Sequence, residues 1–300
     1  MNLENIVGNT EFKQSLSAAL AVGRLSHSIL LCGEAGTGTG FAARCLAADY
    51  LYPNSEHAAQ SVIRGEGAEC ITIEGEGASG DIKIEAVRNM RREIYNTSLS
   101  ANGRCVIIRG AQNLNASSAN ALLKVLEEPP ENVLFILTAT SEAAVMATIR
   151  SRCSAYSLAP VGEDVCAEWI NANVQPICKD AKMLAAVFGG RIGLAKHAAQ
   201  DASAREVLDK ALQIAKLSAK GDEYSIGALL CAYEKDKPGA LRLFDNAAAV
   251  FSACMRGAID IGVPKVLGAA ALPCLARAAD LLQRNVSAKL ALAMLAAELV

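Results

Sequence analysis

The sequence predicts an α/β half followed by an all-helical half, and three observations carry that reading. From the N-terminus to about residue 160, short β-branched or apolar runs alternate with helical patterns, as they do where crossover helices join the strands of a mainly parallel sheet. A glycine-rich turn, Gly33 to Gly38, follows the first of those runs and opens a helical pattern. Past Pro160 the strand signal stops, and the rest of the 300-residue chain reads as alanine- and leucine-rich helices punctuated by Gly and Pro.

In chain order the candidate strands are Ser28 to Cys32, Cys70 to Glu74, Arg104 to Ile108 and Val133 to Thr138. A helix predicted over Ile84 to Tyr95 follows the stretch EGEGASGD and is basic on its exposed side through Arg88, Arg91 and Arg92. Between the third and fourth strands, NASSANALLKVLEEPP offers Asn115 or Ser117 as a helix cap and Ala119, Leu122, Leu123 and Leu126 as an apolar face, with Pro129 and Pro130 ending the helix. Beyond residue 160 a short helical unit containing VFGGRIGLAKHAAQ runs to about Gln200. A larger helical unit follows, and its many alanines let helices pack closely.

Composition narrows the function. The chain is long enough for two or three domains with a sizeable core, and a formal charge of -2 lacks the basic excess of a protein that grips nucleic acid unaided. MNLENIVGNT has no basic stretch followed by an apolar core, and no apolar run approaches the roughly 20 residues that span a bilayer, so a soluble cytoplasmic protein is expected, with no membrane partner. The ten cysteines include no C-x-x-C pair and read as small buried thiols. His27, His57 and His197 lie far apart in sequence, which supports neither histidine ligation nor catalysis, and no metal site is expected.

The segment LLCGEAGTGTGFAAR has the outline of a phosphate-binding loop. Gly33 and Gly38 keep the G-x-x-x-x-G spacing between a strand and a helix, so backbone N–H groups and the helix N-terminus could form an anion cradle. The lysine that would reach the β- and γ-phosphates and the hydroxyl that would hold Mg²⁺ are replaced by Thr39 and Gly40. Arg44, more than a turn further on, is expected to point away. The strand RCVIIRG ends on Arg109 and Gly110 where acidic groups would position a metal, and a cation there reverses the local field. Weak nucleotide binding and a ligand-free turn both remain open on these residues; hydrolysis is the reading they disfavour.

The stretch NALLKVLEEPPENVLFILTATSEAAVMATIRSRC, Asn120 to Cys153, resembles the delta-prime subunits of bacterial DNA polymerase III clamp loaders. NIVGNTEFKQSLSAALAVGRLSHSILLCG, IKIEAVRNMRREIYNTSLSANGRCVIIRGAQNLN and LLQRNVSAKLALAMLAAEL are similar to further parts of the same family. The resemblance implies an AAA+ fold: a RecA-like α/β domain over 1–160, a small helical lid over 161–205 and an all-α collar over 206–300. It implies a subunit that does not hydrolyse ATP and holds no cofactor. Its expected partners are gamma/tau-type motor ATPase subunits and a delta subunit, with the sliding clamp and primed DNA reached through the complex. It also implies that Arg152, in the triplet Ser151, Arg152, Cys153, reaches across a subunit boundary as an arginine finger; the alternatives are that Arg152 caps the preceding short helix or pairs with a nearby carboxylate. Arg150 is expected to be a surface residue and Cys153 a packing residue.

The chain also departs from that family's pattern. Between the loop and the second strand Cys70 stands alone, so a four-cysteine zinc module is not expected. At the lid position where motor subunits carry a nucleotide-sensing arginine, this chain has Gly193, with Arg191 two residues earlier. Thr138 and Thr140 fall at the sensor position of the fourth strand and are expected to serve backbone groups there or to cap a helix beginning near Ser141. Glu127 and Glu128 project in different directions from a helix end and are not expected to form a catalytic pair. An active motor ATPase of the same family is the competing reading.

Overall fold

The computed structural model describes residues 1–75, 80–96, 98–176, 178–284 and 286–300. Residues 76–79 of the EGEGASGD stretch, Thr97 of the central segment and Asn285 of the C-terminal segment lie outside them. The chain divides into two compact units, Met1–Val161 and Gly162–Val300.

In chain order the first unit contains α1 (Thr10–Ala21), β1 (Ser28–Cys32), α2 (Thr39–Leu51), α3 (Glu56–Arg64), β2 (Cys70–Glu74), α4 (Ile84–Ile94), β3 (Arg104–Arg109), α5 (Ala116–Glu127), β4 (Val133–Ala139), α6 (Ala147–Arg150) and β5 (Ser154–Ser157). The strands form one sheet in the order β2-β3-β4-β1-β5 with every neighbouring pair parallel. The inner strands β1 and β4 are buried along their whole length, and β3 all but its last residue. Parallel strands covered on both faces read as continuous apolar runs, which is why SILLC, RCVIIR and VLFILTA stand out in the sequence. The edge strand β5, SAYS, alternates half-buried and exposed residues over only four positions and escapes sequence reasoning.

One face of the sheet packs on α4 and α5 through Val87, Met90, Leu122 and Val125, the other on α1, α2 and α3 through Leu16, Leu46 and Val62. In α5, Asn115 is the cap, its Oδ1 accepting from the Ser118 N–H at 2.9 Å, while Ser117 donates to Asn115. The buried stripe runs through Ala119, Leu122, Val125 and Leu126; Leu123, expected on it, is only partly buried. Asp49, near the end of α2, is 6% exposed and accepts from the Asn2 N–H at 2.7 Å, Asn2 Nδ2 at 2.8 Å and the Leu3 N–H at 3.0 Å, which fixes the N-terminal turn to the helix.

The second unit is helical among its described residues: α7 (Glu163–Asn173), α8 (Ala181–Val187), α9 (Ile192–Gln200), α10 (Ala202–Ser218), α11 (Glu223–Cys231), α12 (Lys237–Arg256), α13 (Lys265–Gln283) and α14 (Ala288–Glu298). By length and composition α13, with 19 residues, is apolar enough to cross a membrane, which corrects the expectation that no run approaches that length. Within this unit it packs against α12 and α14 and buries Gly268, Ala271, Leu275, Ala278 and Leu282.

Gly268 sets how close α12 and α13 come. A Cβ there would lie 2.7 Å from the Phe251 carbonyl oxygen and 3.1 Å from the Met255 nitrogen, both backbone atoms of α12. Gly268→Ala is expected to push the helices apart and lower stability by about 1–3 kcal/mol. A denaturation midpoint equal to that of the unaltered chain would show that the pair slides to accommodate the methyl.

Asp180, before α8, accepts from Arg205 of α10 and from the Cys178 thiol. The Arg205 hydrogen bond holds the Asp180 carboxyl below its usual value. A folded-state value below the unfolded one adds stability that is present above the ordinary carboxylate range and is lost as pH falls through the lowered value. Thermal unfolding midpoints measured from pH 6 downward should therefore drop less steeply below about pH 4 in Asp180→Asn than in the unaltered chain; parallel curves would show that this pair carries no linkage.

Candidate functional site

In a parallel sheet whose order reverses beside β1, loops diverge at the carboxyl ends of the strands and leave a crevice there. A cavity of about 310 Å³ occupies that place, lined by residues of the β1 loop (Gly33, Thr39 and Gly40) and by Glu74, Arg109 and Thr138 at the ends of β2, β3 and β4. Its neighbours Gly110, Gln112, Asn113 and Thr140 complete much of the wall.

The loop keeps its frame. Gly38, with φ of 100°, takes the left-handed conformation that glycine adopts without strain, and its carbonyl accepts the first helical bond of α2 from the Ala42 N–H at 2.8 Å. Inside the frame the chain's own side chains close in. Thr37 Oγ1 donates to the Glu34 carbonyl at 2.8 Å, and a Cβ on Gly33 would meet Thr37 Oγ1 at 2.6 Å and Thr39 Cγ2 at 3.0 Å. The Gly33 N–H is engaged by the Ala139 carbonyl at 3.0 Å.

Arg109 lies beside the loop. Its Nε would be 3.6 Å from a Cβ on Gly40, and its Nη1 pairs with Glu74 Oε2 at 2.7 Å. The register explains the grouping: Glu74 stands opposite Arg109 on β2, and Arg109 opposite Thr138 on β4, so three strand ends deliver an acid, a base and a hydroxyl to one row. Sequence reasoning misses Glu74, whose one signal is its place at the end of a strand. The Thr138 hydroxyl accepts from the Gly110 N–H at 3.2 Å, a backbone-serving role of the kind expected for it. No helix begins near Ser141: its Oγ accepts from the Ala144 N–H at 3.3 Å within a turn, and the next helix starts at Ala147. Arg44 is absent from the cavity wall. Among the described residues no group of three or more His, Cys, Asp or Glu is placed to hold a metal.

Ser151, Arg152 and Cys153 form the turn between α6 and β5. Arg152 Nη2 pairs with Glu127 Oε1 at 2.5 Å, and Nη1 donates to the Thr148 carbonyl at 2.8 Å and to Ser151 Oγ at 3.2 Å. Within the lone chain Arg152 thus makes both of the local contacts open to it, a helix-end carbonyl and a carboxylate, while its side chain stays 35% exposed. Arg150 pairs with Glu142 at 3.8 Å on the surface. Cys153 packs against the α5 face of the sheet, and burial first, then the Cys32 thiol, pushes its pKa up to about 11. In the second unit Gly193 sits in the first turn of α9, and Arg191 just before it donates through Nε to the Phe188 carbonyl at 2.8 Å.

A five-stranded parallel sheet in this order, a strand-loop-helix cradle at its switch point and a helical C-terminal unit are the elements of an AAA+-type fold. A gamma subunit-related protein of DNA polymerase III from Thermotoga maritima has the same fold over 94% of this chain and 98% of its own, with a TM-score of 0.59 at 17% identity. The chain belongs to the DNA polymerase III, delta subunit family, whose model matches residues 8–162. It is 28% identical over 228 residues to the delta' subunit of DNA polymerase III from Escherichia coli, covering 72% of this chain and 67% of that protein. It is 37% identical over 92 residues to the delta' subunit of Haemophilus influenzae, covering 31% of this chain and 28% of the relative. To the gamma subunit of Buchnera aphidicola it is 34% identical over 166 residues, covering 53% and 46%. The chain therefore spans less than half the length of the latter two relatives.

Proposed function

We propose that this chain is a non-hydrolysing, stator-like subunit of a DNA polymerase III clamp loader in the cytoplasm, helping gamma/tau-type motor subunits and a delta subunit load the sliding clamp onto primed DNA. The observation that supports it most is the composition of the cradle. Thr39 and Gly40 supply neither the cation nor the hydroxyl of a working loop, and the Arg109 guanidinium stands beside Gly40 where Mg²⁺ would be needed. A Mg-nucleotide does not fit these residues: two cations would share one corner, and Glu74, the nearby acid, already neutralises Arg109. In this reading the second unit works as a lid over 161–205 and a collar over 206–300.

Arg152 is then the residue that acts, at a neighbour's nucleotide. Its pair with Glu127 is solvent-exposed on both sides and is worth about 0–1 kcal/mol. An arginine finger speeds phosphoryl transfer by a factor of about 10³–10⁵, or roughly 4–7 kcal/mol of transition-state stabilisation, which exceeds the cost of giving up Glu127. The test is to assay the purified chain alone for Mg-ATP turnover and then to mix it with motor and delta subunits and follow assembly by size. No turnover alone and entry into one larger complex are expected; turnover by the lone chain, which the motor-ATPase reading predicts, or a chain that never joins the complex, overturns the proposal.

A further inference from the structure

Cys70 opens the edge strand β2, and Cys105, on β3, is its register partner. Both point to the α2 and α3 side of the sheet, where Cys105 is fully buried and Cys70 half-buried at the edge. Neighbouring parallel strands lie about 4.8 Å apart, inside the Cα separation of roughly 4.4–6.8 Å that a disulfide spans. The register sets the two thiols side by side on that face, and Arg44 of α2 faces Cys70 with its Nε buried and without a hydrogen-bond partner among the described residues. The other titratable groups around the pair are Tyr50 and Cys45 on α2, Tyr52 just after it, and Glu69, which is already paired with Arg104.

We propose that Cys70 and Cys105 form a peroxide-sensitive thiol pair, with Cys70 the thiol that is attacked and Cys105 the thiol that resolves it into a disulfide. In the first step the Cys70 thiolate sulfur attacks one oxygen of hydrogen peroxide. An S–O bond forms, the O–O bond breaks, and the departing hydroxide takes a proton to leave as water. In the second, Cys105 gives up its proton and its sulfur attacks the Cys70 sulfenic acid. The S–S bond forms, the S–O bond breaks, and a second water leaves. Two thiols are oxidised by two electrons and one peroxide is reduced to two waters.

The surroundings favour this division of labour. The neighbouring Cys105 thiol first, and the Arg44 charge after it, hold the Cys70 pKa below the usual thiol value, while burial raises that of Cys105. Low pKa and partial exposure mark the thiol that peroxide reaches first, and a protected neighbour marks the resolving one. The cross-link would tie the edge strand to the strand beside it, and these two strands carry Glu74 and Arg109 at the cavity. This inference does not depend on the clamp-loader reading.

To test it, the reduced full-length chain is treated with hydrogen peroxide under native conditions, its free thiols are counted, and its peptides are mapped without reduction. Two thiols of the ten should be lost, the Cys70 and Cys105 peptides should appear joined, and dithiothreitol should restore both. In Cys105→Ser, which removes the resolving sulfur and keeps a hydrogen-bond donor beside Cys70, the Cys70 sulfenic acid should persist and be trapped by a cyclic 1,3-dione about tenfold faster than any adduct at the exposed Cys231. A native chain in which Cys70 pairs with Cys45 instead, in which the cross-link forms only in denaturant, or in which Cys70 reacts no faster than Cys231 would overturn the proposal; the first two outcomes are read on the unaltered chain, whatever the variant's stability.

Discussion

Arg152→Ala is expected to leave assembly with motor and delta subunits intact and to cut clamp- and DNA-stimulated ATP hydrolysis at the adjoining motor site by about 10³–10⁵-fold, the range of arginine fingers. In the proposed assembly, where other motor sites would keep their own arginines, the summed loss should read as severalfold. The expectation follows from what the guanidinium is: a planar, permanently charged fork that contacts two phosphoryl oxygens at once. Arg152→Lys keeps the charge without the fork and should recover only a small part. Glu127→Gln removes the partner that Arg152 holds in the lone chain and should leave hydrolysis equal or higher, since the pair competes with the phosphate. Hydrolysis unchanged by Arg152→Ala would remove the trans role and leave the chain as scaffold alone.

Glu69→Ala is expected to destabilise the first unit by about 3–5 kcal/mol, the cost of breaking a buried ion pair from one side. Glu69 is 3% exposed, and its carboxylate lies 2.9 Å from Arg104 Nε while accepting from Ser98 Oγ at 3.1 Å and from the Leu99 N–H at 2.8 Å. Arg104 also donates from Nη1 to the Glu93 carbonyl at 2.7 Å, so a single acid joins the start of β3, the end of α4 and the loop between them. Against a total stability of about 5–15 kcal/mol the loss is large enough to unfold a sizeable fraction at 37 °C. Glu69→Gln keeps an acceptor for Ser98 and Leu99 and should fall between. Denaturant midpoints of the three proteins order these outcomes, and a change under about 1 kcal/mol in Glu69→Ala would mean that water reaches Arg104 and replaces the carboxylate.

The four strands recognised in the sequence are present at nearly the predicted limits, β3 and β4 each running one residue further, to Arg109 and Ala139. β1, β3 and β4 were legible because a parallel strand buried on both faces has little room for polar residues, and the edge strand β2 through its β-branched Ile71, Thr72 and Ile73. The fifth was not: Ser154 to Ser157 pairs with β1 alone, and an alternation over four residues is too short to stand out in the sequence. The substitution of Leu123 by Val125 in the buried stripe of α5 has a similar cause. A helical pattern defines a stripe more than 100° wide, and the packing partner, here the sheet and α4, selects its centre. In α13 the composition alone suggested no long apolar run, because Gly, Ala and scattered charges dilute it, yet the helix reaches membrane-spanning length and apolarity.

The amino-acid sequence by itself determined the α/β half followed by a helical half and the residue types at the cradle, because spacing such as Gly33 to Gly38 and the identities of Thr39, Gly40 and Arg109 are local facts; the AAA+ fold and the family came through the resemblance of Asn120 to Cys153 and its companion stretches. Only the tertiary structure decided which groups meet: that Glu74 neutralises Arg109, that Glu127 holds Arg152, and that Cys105 lies against Cys70. Those partners are brought together by strand order and by helices crossing the sheet, and contacts between residues tens of positions apart are fixed by how the whole core packs rather than by any pattern within a single segment.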